Sequence, residues 1–72
     1  MLELDRAKLR ELREQRNLTQ HELGQKVGKN TSDISNYENG VASPKANTLL
    51  SLMDFFNVSP REISKVNDVA LD

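Results

Sequence analysis

Apolar residues return every three or four positions along most of this chain and are separated by short polar breaks, the pattern of amphipathic helices rather than of strands. From Asp5 to Arg16 strong helix formers dominate, Leu9 and Leu12 share a face, and Asp5 is placed to cap the first turn. Asn17 suits the left-handed conformation that ends a helix, after which Leu18 turns back toward the core. Thr19-Gln20-His21-Glu22 forms a capping box: the threonine oxygen accepts the Glu22 backbone N–H while the carboxylate returns to the Thr19 N–H. The second helix that starts there is short, because Leu23 and Val27 lie one turn apart and Gly28 offers a stop. Asn30 predicts the cap of a third helix running through Glu38, with Asp33 favoured by the positive end of its dipole and Asn39-Gly40 closing it. Only Ile34 and Tyr37 give this helix an apolar side, so the rest is a row of short polar groups facing something wet.

Val41 to Lys45, with Pro44, predicts a loop. From about Ala46 the positions Leu49, Leu50, Leu52, Met53 and Phe56 make the most apolar helix of the chain, with Asn57 as a left-handed cap. Ser59-Pro60-Arg61-Glu62 then joins an N-cap serine to a first-position proline and an acidic third residue, and Ile63 and Val66 are expected to continue a fifth helix of modest length. The expectation is an all-α fold, a compact bundle of four to five helices over residues 1–66, with 67–72 as a frayed tail.

Composition narrows the function classes more than the fold. A chain of 72 residues is near the small end of what folds without staples, so a dimer interface is a plausible source of extra stability. Cysteine is absent and His21 is the only histidine, which leaves no thiolate or multi-histidine metal site, no cysteine nucleophile and no expected cofactor. His21 reads as a surface residue rather than a ligand or base. No apolar run approaches the roughly 20 residues that span a bilayer, and the first ten residues alternate charge instead of forming a signal-peptide core, so the expected address is cytoplasmic and away from membranes. Ten basic against 11 acidic residues give a net charge of -1, which argues against gripping nucleic acid by bulk electrostatics. Without a nucleophile, base and oxyanion-donor arrangement or a Gly-rich phosphate loop, catalysis is not expected, nor is a small-molecule ligand.

The second and third helices are joined by about three residues, a helix-turn-helix spacing. Gly24, in mid-helix, costs roughly 1 kcal/mol against alanine, so its presence suggests a close neighbour, most naturally the third helix. Leu12-Arg13, Thr19-Gln20, Glu22-Leu23-Gly24, Val27-Gly28, Ile34-Ser35, Glu38-Asn39-Gly40 and Pro44, in this order and spacing, resemble the Cro and phage-repressor (XRE) family over about Leu9 to Ile63. Two positions depart from the family pattern: Lys29 stands where an apolar turn residue is usual, and Lys45 where the fourth helix usually has a serine cap.

The resemblance implies a transcriptional regulator, of the repressor kind, that binds double-stranded DNA through the third helix. An α-helix fits the major groove, where each base pair displays its own set of donors, acceptors and methyl groups. By resemblance Thr31, Ser32, Ser35 and Asn36 point at base edges, and a carboxamide such as that of Asn36 can bond adenine N6 and N7 together. Gln20 and Asn39 match the family's phosphate-contact positions, with Lys29 and Lys45 as nearby cations, while Arg13 and Glu38 match a pair that ties the first helix to the end of the third. A single short reading helix covers few base pairs, so a homodimer on a palindromic operator is expected. Its contact surface is sought on the fifth helix, at Ile63, Val66 and Val69, and around Phe55 and Phe56. Taken without the resemblance, the polar side of the third helix is an ordinary solvated face. The competing function is a protein-interaction module or antitoxin of the same fold that binds little or no DNA.

Overall fold

The computed structural model describes residues 2–66. The chain runs β1 (Leu2–Leu4), α1 (Arg6–Gln15), α2 (Gln20–Val27), α3 (Thr31–Asn39), α4 (Ala46–Phe56), α5 (Pro60–Ile63) and β2 (Ser64–Val66). Most of the long helices start and stop where local chemistry dictates. Asp5 Oδ1 accepts the Lys8 N–H at 3.2 Å at the head of α1. Left-handed backbone closes the helical segments at Asn17 (φ 57°), Gly28 (φ 74°), Gly40 (φ 76°) and Asn57 (φ 56°). Lys45 precedes α4 with no side-chain cap.

Leu4, Leu9, Leu12, Leu23, Ile34, Tyr37, Leu52, Phe56 and Ile63 form one core drawn from every helix. α2 and α3 pack on each other, α1 lies against α3, and α4 supports α2. Leu49 and Met53 pack partly against this core, whereas Leu50 is turned out and remains 60% exposed. Among the described residues no helix is long and apolar enough to cross a membrane.

The last element departs from the sequence expectation. The fifth helix is a single turn ending at Ile63, and the chain then extends into β2, which pairs antiparallel with β1 in the register Leu2↔Val66, Glu3↔Lys65 and Leu4↔Ser64. The Asp5 N–H continues the same seam by bonding the Ile63 carbonyl at 2.9 Å. Ladder bonds to a strand some sixty residues away are a non-local gain that a helical continuation of four residues cannot match. Val66 therefore belongs to a strand rather than to a fifth helix; Val69 and the expected tail at 67–72 lie outside the described residues.

Candidate nucleic-acid interface

α3 is aimed by the turn in front of it. At the head of α2 the Glu22 N–H donates to Thr19 Oγ1 at 3.0 Å and the Thr19 N–H donates to Glu22 Oε1 at 2.8 Å. That backbone donor, above all, holds the Glu22 carboxyl below its ordinary pKa. At the other end of α2 the Lys29 N–H returns to the Gly24 carbonyl at 2.8 Å, folding the turn back over the helix. A Cβ at Gly24 would collide with the Lys29 carbonyl oxygen and press on the Asn30 carbonyl. The neighbour that excludes a side chain there is thus the backbone of the turn, not α3 as the sequence suggested. Asn30 Oδ1 then accepts the Asp33 N–H at 2.8 Å to start α3, and Asp33 Oδ2 faces the Asn30 N–H at 3.5 Å.

With Ile34 and Tyr37 buried, the opposite side of α3 is left to short polar groups. Thr31 and Ser32 are exposed, Ser35 and Asn36 are half-buried, and Asn39 at the far end is exposed. Asn39 Nδ2 donates to Ser35 Oγ at 3.2 Å, linking a candidate phosphate contact to a candidate base contact. Lys29, half-buried, and Lys45, exposed, line one shallow depression together with Asn47 and Ser51, so the turn and the start of α4 pool their cations.

The C-terminal end of α3 is anchored differently. Arg13 of α1 forks onto Glu38, with Nε 2.6 Å from Oε2 and Nη2 3.0 Å from Oε1. Arg13 Nη1 also donates to the Leu18 carbonyl at 2.8 Å, and Gln20 Nε2 donates to Glu38 Oε1 at 3.1 Å. The side chains of Arg13 and Glu38 are only 11% and 2% exposed. Hydrogen bonding to Glu38 raises the Arg13 pKa above its already high ordinary value. One network thus joins α1, the α1–α2 turn, the head of α2 and the tail of α3. It also fixes the Gln20 amide, whose nitrogen points toward Glu38 and keeps a second N–H for an outside acceptor.

A helix-turn-helix family model of the XRE type matches residues 9–63. The chain belongs to that helix-turn-helix family. Its relatives include the HTH-type transcriptional regulator ImmR of Bacillus subtilis (strain 168), 34% identical over 70 residues covering 89% of this chain and 55% of ImmR. Another is the cryptic phage CTXphi transcriptional repressor RstR of Vibrio cholerae, 32% identical over 66 residues covering 92% of this chain and 60% of RstR. The chain thus spans little more than half the length of these two relatives. Among solved structures, the fold matches the P22 c2 repressor protein in complex with synthetic operator 9T, with a TM-score of 0.75 and 30% identity over 79% of this chain and 86% of that one.

Within this helix-turn-helix unit, the residues expected at a dimer surface do not stay together. Ile63 is fully buried in the chain's own core and is withdrawn from that surface. Phe55 is half-buried, its ring 5.0 Å from Phe56, and the Arg16 guanidinium lies 5.3 Å from the centroid of each ring. The same guanidinium donates to the Phe55 and Phe56 carbonyls at 3.4 and 3.1 Å, binding the end of α1 to the end of α4. Neither this clasp nor the 3.2 Å contact of His21 Nδ1 with Thr31 Oγ1 was anticipated from the sequence. Both join residues whose neighbourhood depends on tertiary packing, and only the solitary histidine of the head of α2 offered a signal.

Proposed function

We propose that this chain is the sequence-specific double-stranded DNA-binding domain of a transcriptional repressor, reading the major groove with α3 as a homodimer on a palindromic operator. The observation that carries the proposal is the outward row Thr31, Ser32, Ser35 and Asn36 on a helix whose two ends are independently fixed, in a fold shared with a repressor solved on its operator. Asn36 is the principal base reader. Among the described residues its side chain has no hydrogen-bond partner, leaving both carboxamide groups available to one adenine edge. Gln20 and Asn39 position the backbone, and Lys29 and Lys45 add charge at the turn and at the start of α4.

The acidic residues near this surface do not oppose the assignment. Glu38 is paired with Arg13 within the protein, and the Asp33 carboxylate faces the Asn30 N–H at 3.5 Å, beside the positive end of the α3 dipole. Neutral groups supply several of the backbone contacts, so the salt dependence is expected to be shallower than the loss of about 10³ to 10⁵ in affinity between 50 and 200 mM salt that a heavily basic binder shows. For the dimer, the surface that remains is the end of α4 around the half-buried Phe55. Selection of bound duplexes from a random pool tests the proposal directly. It should enrich a two-fold symmetric site whose half-sites lie about 34 Å apart, with an adenine in each that Asn36→Ala no longer selects. A pool left unenriched at low salt would instead favour a protein-binding role.

A further inference from the structure

Thr31 opens α3 and His21 sits in the first turn of α2, and their side chains meet across the turn with Nδ1 and Oγ1 3.2 Å apart. Building on the DNA-reading role proposed above, we infer that His21 is a positioning residue that sets the hydrogen-bonding polarity of Thr31 and thereby the base that Thr31 prefers. A threonine hydroxyl on its own discriminates poorly, because it rotates to donate or accept as the partner requires. Bonded to an imidazole it loses that freedom. A neutral ring carries one N–H and one bare nitrogen, and the partner of either nitrogen fixes the role of the other.

On a bound duplex, one arrangement of the neutral ring follows. Glu22, the next residue on α2, directs its carboxylate to the Thr19 N–H, and Asp33 directs its own toward the head of α3. His21 is exposed, so Nε2 lies at the surface beside the N-terminal turn of α2, where a bound duplex brings phosphate oxygens that only accept. An Nε2–H given to a phosphate leaves Nδ1 bare. The Thr31 hydroxyl then donates its hydrogen bond to Nδ1, and only the lone pairs of Oγ1 face the groove. Those lone pairs accept from the amino group of adenine or cytosine and are repelled by guanine O6 and N7 and by thymine O4.

The test selects duplexes from a random pool with the wild-type chain, T31A, H21A and the double variant. Enrichment of a common site by the wild type is the outcome the DNA-binding role requires by itself; a flat pool would sink that role and this inference together. Within an enriched site, T31A identifies the base pair that Thr31 reads as the one whose preference it erases. H21A is expected to relax preference at that same pair by about three- to tenfold, with the other positions unchanged. The double variant should lose nothing further there, the non-additivity of groups acting as a unit. An analogue lacking the amino group at that pair should weaken the wild type more than H21A, whose freed hydroxyl can turn to another partner. Uniformly weaker binding by H21A with the base preference intact would reduce His21 to a phosphate contact and overturn the inference, as would a T31A variant that changes no base preference.

Discussion

The two ends of α3 are held in opposite ways. At the C-terminal end a bidentate ion pair, almost wholly buried and shared with Gln20, ties Glu38 to α1. At the N-terminal end the helix rests on caps and turn backbone at the surface, and its side chains reach outward. The contrast separates two duties along nine residues. The far end sets where the helix points and is costly to break on one side alone, whereas the outward side chains of the near end can change with little cost to the fold.

The largest effect should follow from breaking the anchored end. Glu38→Ala leaves Arg13 buried without its partner, and thermal unfolding should show a loss of about 3 to 5 kcal/mol. Replacing both members, Arg13→Met with Glu38→Leu, should recover most of that loss, because the buried charge disappears with its partner. A Glu38→Ala protein that melts with the wild type would erase the distinction between the two ends. The seat of the near end comes next: Gly24→Ala forces a methyl group against the backbone of the turn, at an expected cost of about 1 to 3 kcal/mol in the same measurement.

Asn36→Ala sharpens the comparison from the other side. Its melting should stay within about 0.5 kcal/mol of the wild type. Binding to the selected duplex should nevertheless lose about 1 to 3 kcal/mol, with the loss confined to one base pair per half-site. The smallest effect concerns the exposed cap of α2. Glu22 has a folded pKa below its ordinary value of 4.5, so its contribution to stability is complete above that pH and is lost as the pH falls through the folded value. Melting temperatures measured from pH 6 down to pH 3 should therefore fall less for Glu22→Gln than for the wild type, since a glutamine oxygen still accepts the Thr19 N–H without titrating.

What the sequence made legible follows the same division between local and distant causes. Asp5, Asn17, the Thr19–Glu22 box, Gly28, Asn30, Gly40 and Asn57 all act within four residues of themselves, and each marks the boundary expected of it. The helix-turn-helix order of motifs located α3 and its outward row for the same reason. The strand pair was not legible. Three-residue strands have too few positions to show a period of two, and Ile63 and Val66, three apart, fit a helical face equally well. Ile63 as a dimer contact failed because an apolar residue near the end of a chain looks alike whether its partner is another subunit or Leu4 and Leu9 of its own core. The candidate base readers could be named from the family resemblance, but the couplings of Asn39 to Ser35 and of His21 to Thr31 depend on rotamers that no spacing encodes.

The β1–β2 register carries a mechanical consequence. Leu2 faces Val66 at one end of the ladder and Leu4 faces Ser64 at the other, so the two ends of the described chain leave the domain side by side. Tension applied through residue 2 and residue 66 would load the ladder bonds one after another, as a zipper is drawn, instead of all at once. The strands would part before the helices felt the pull, and α3 would keep its posture under forces that had already loosened both tethers.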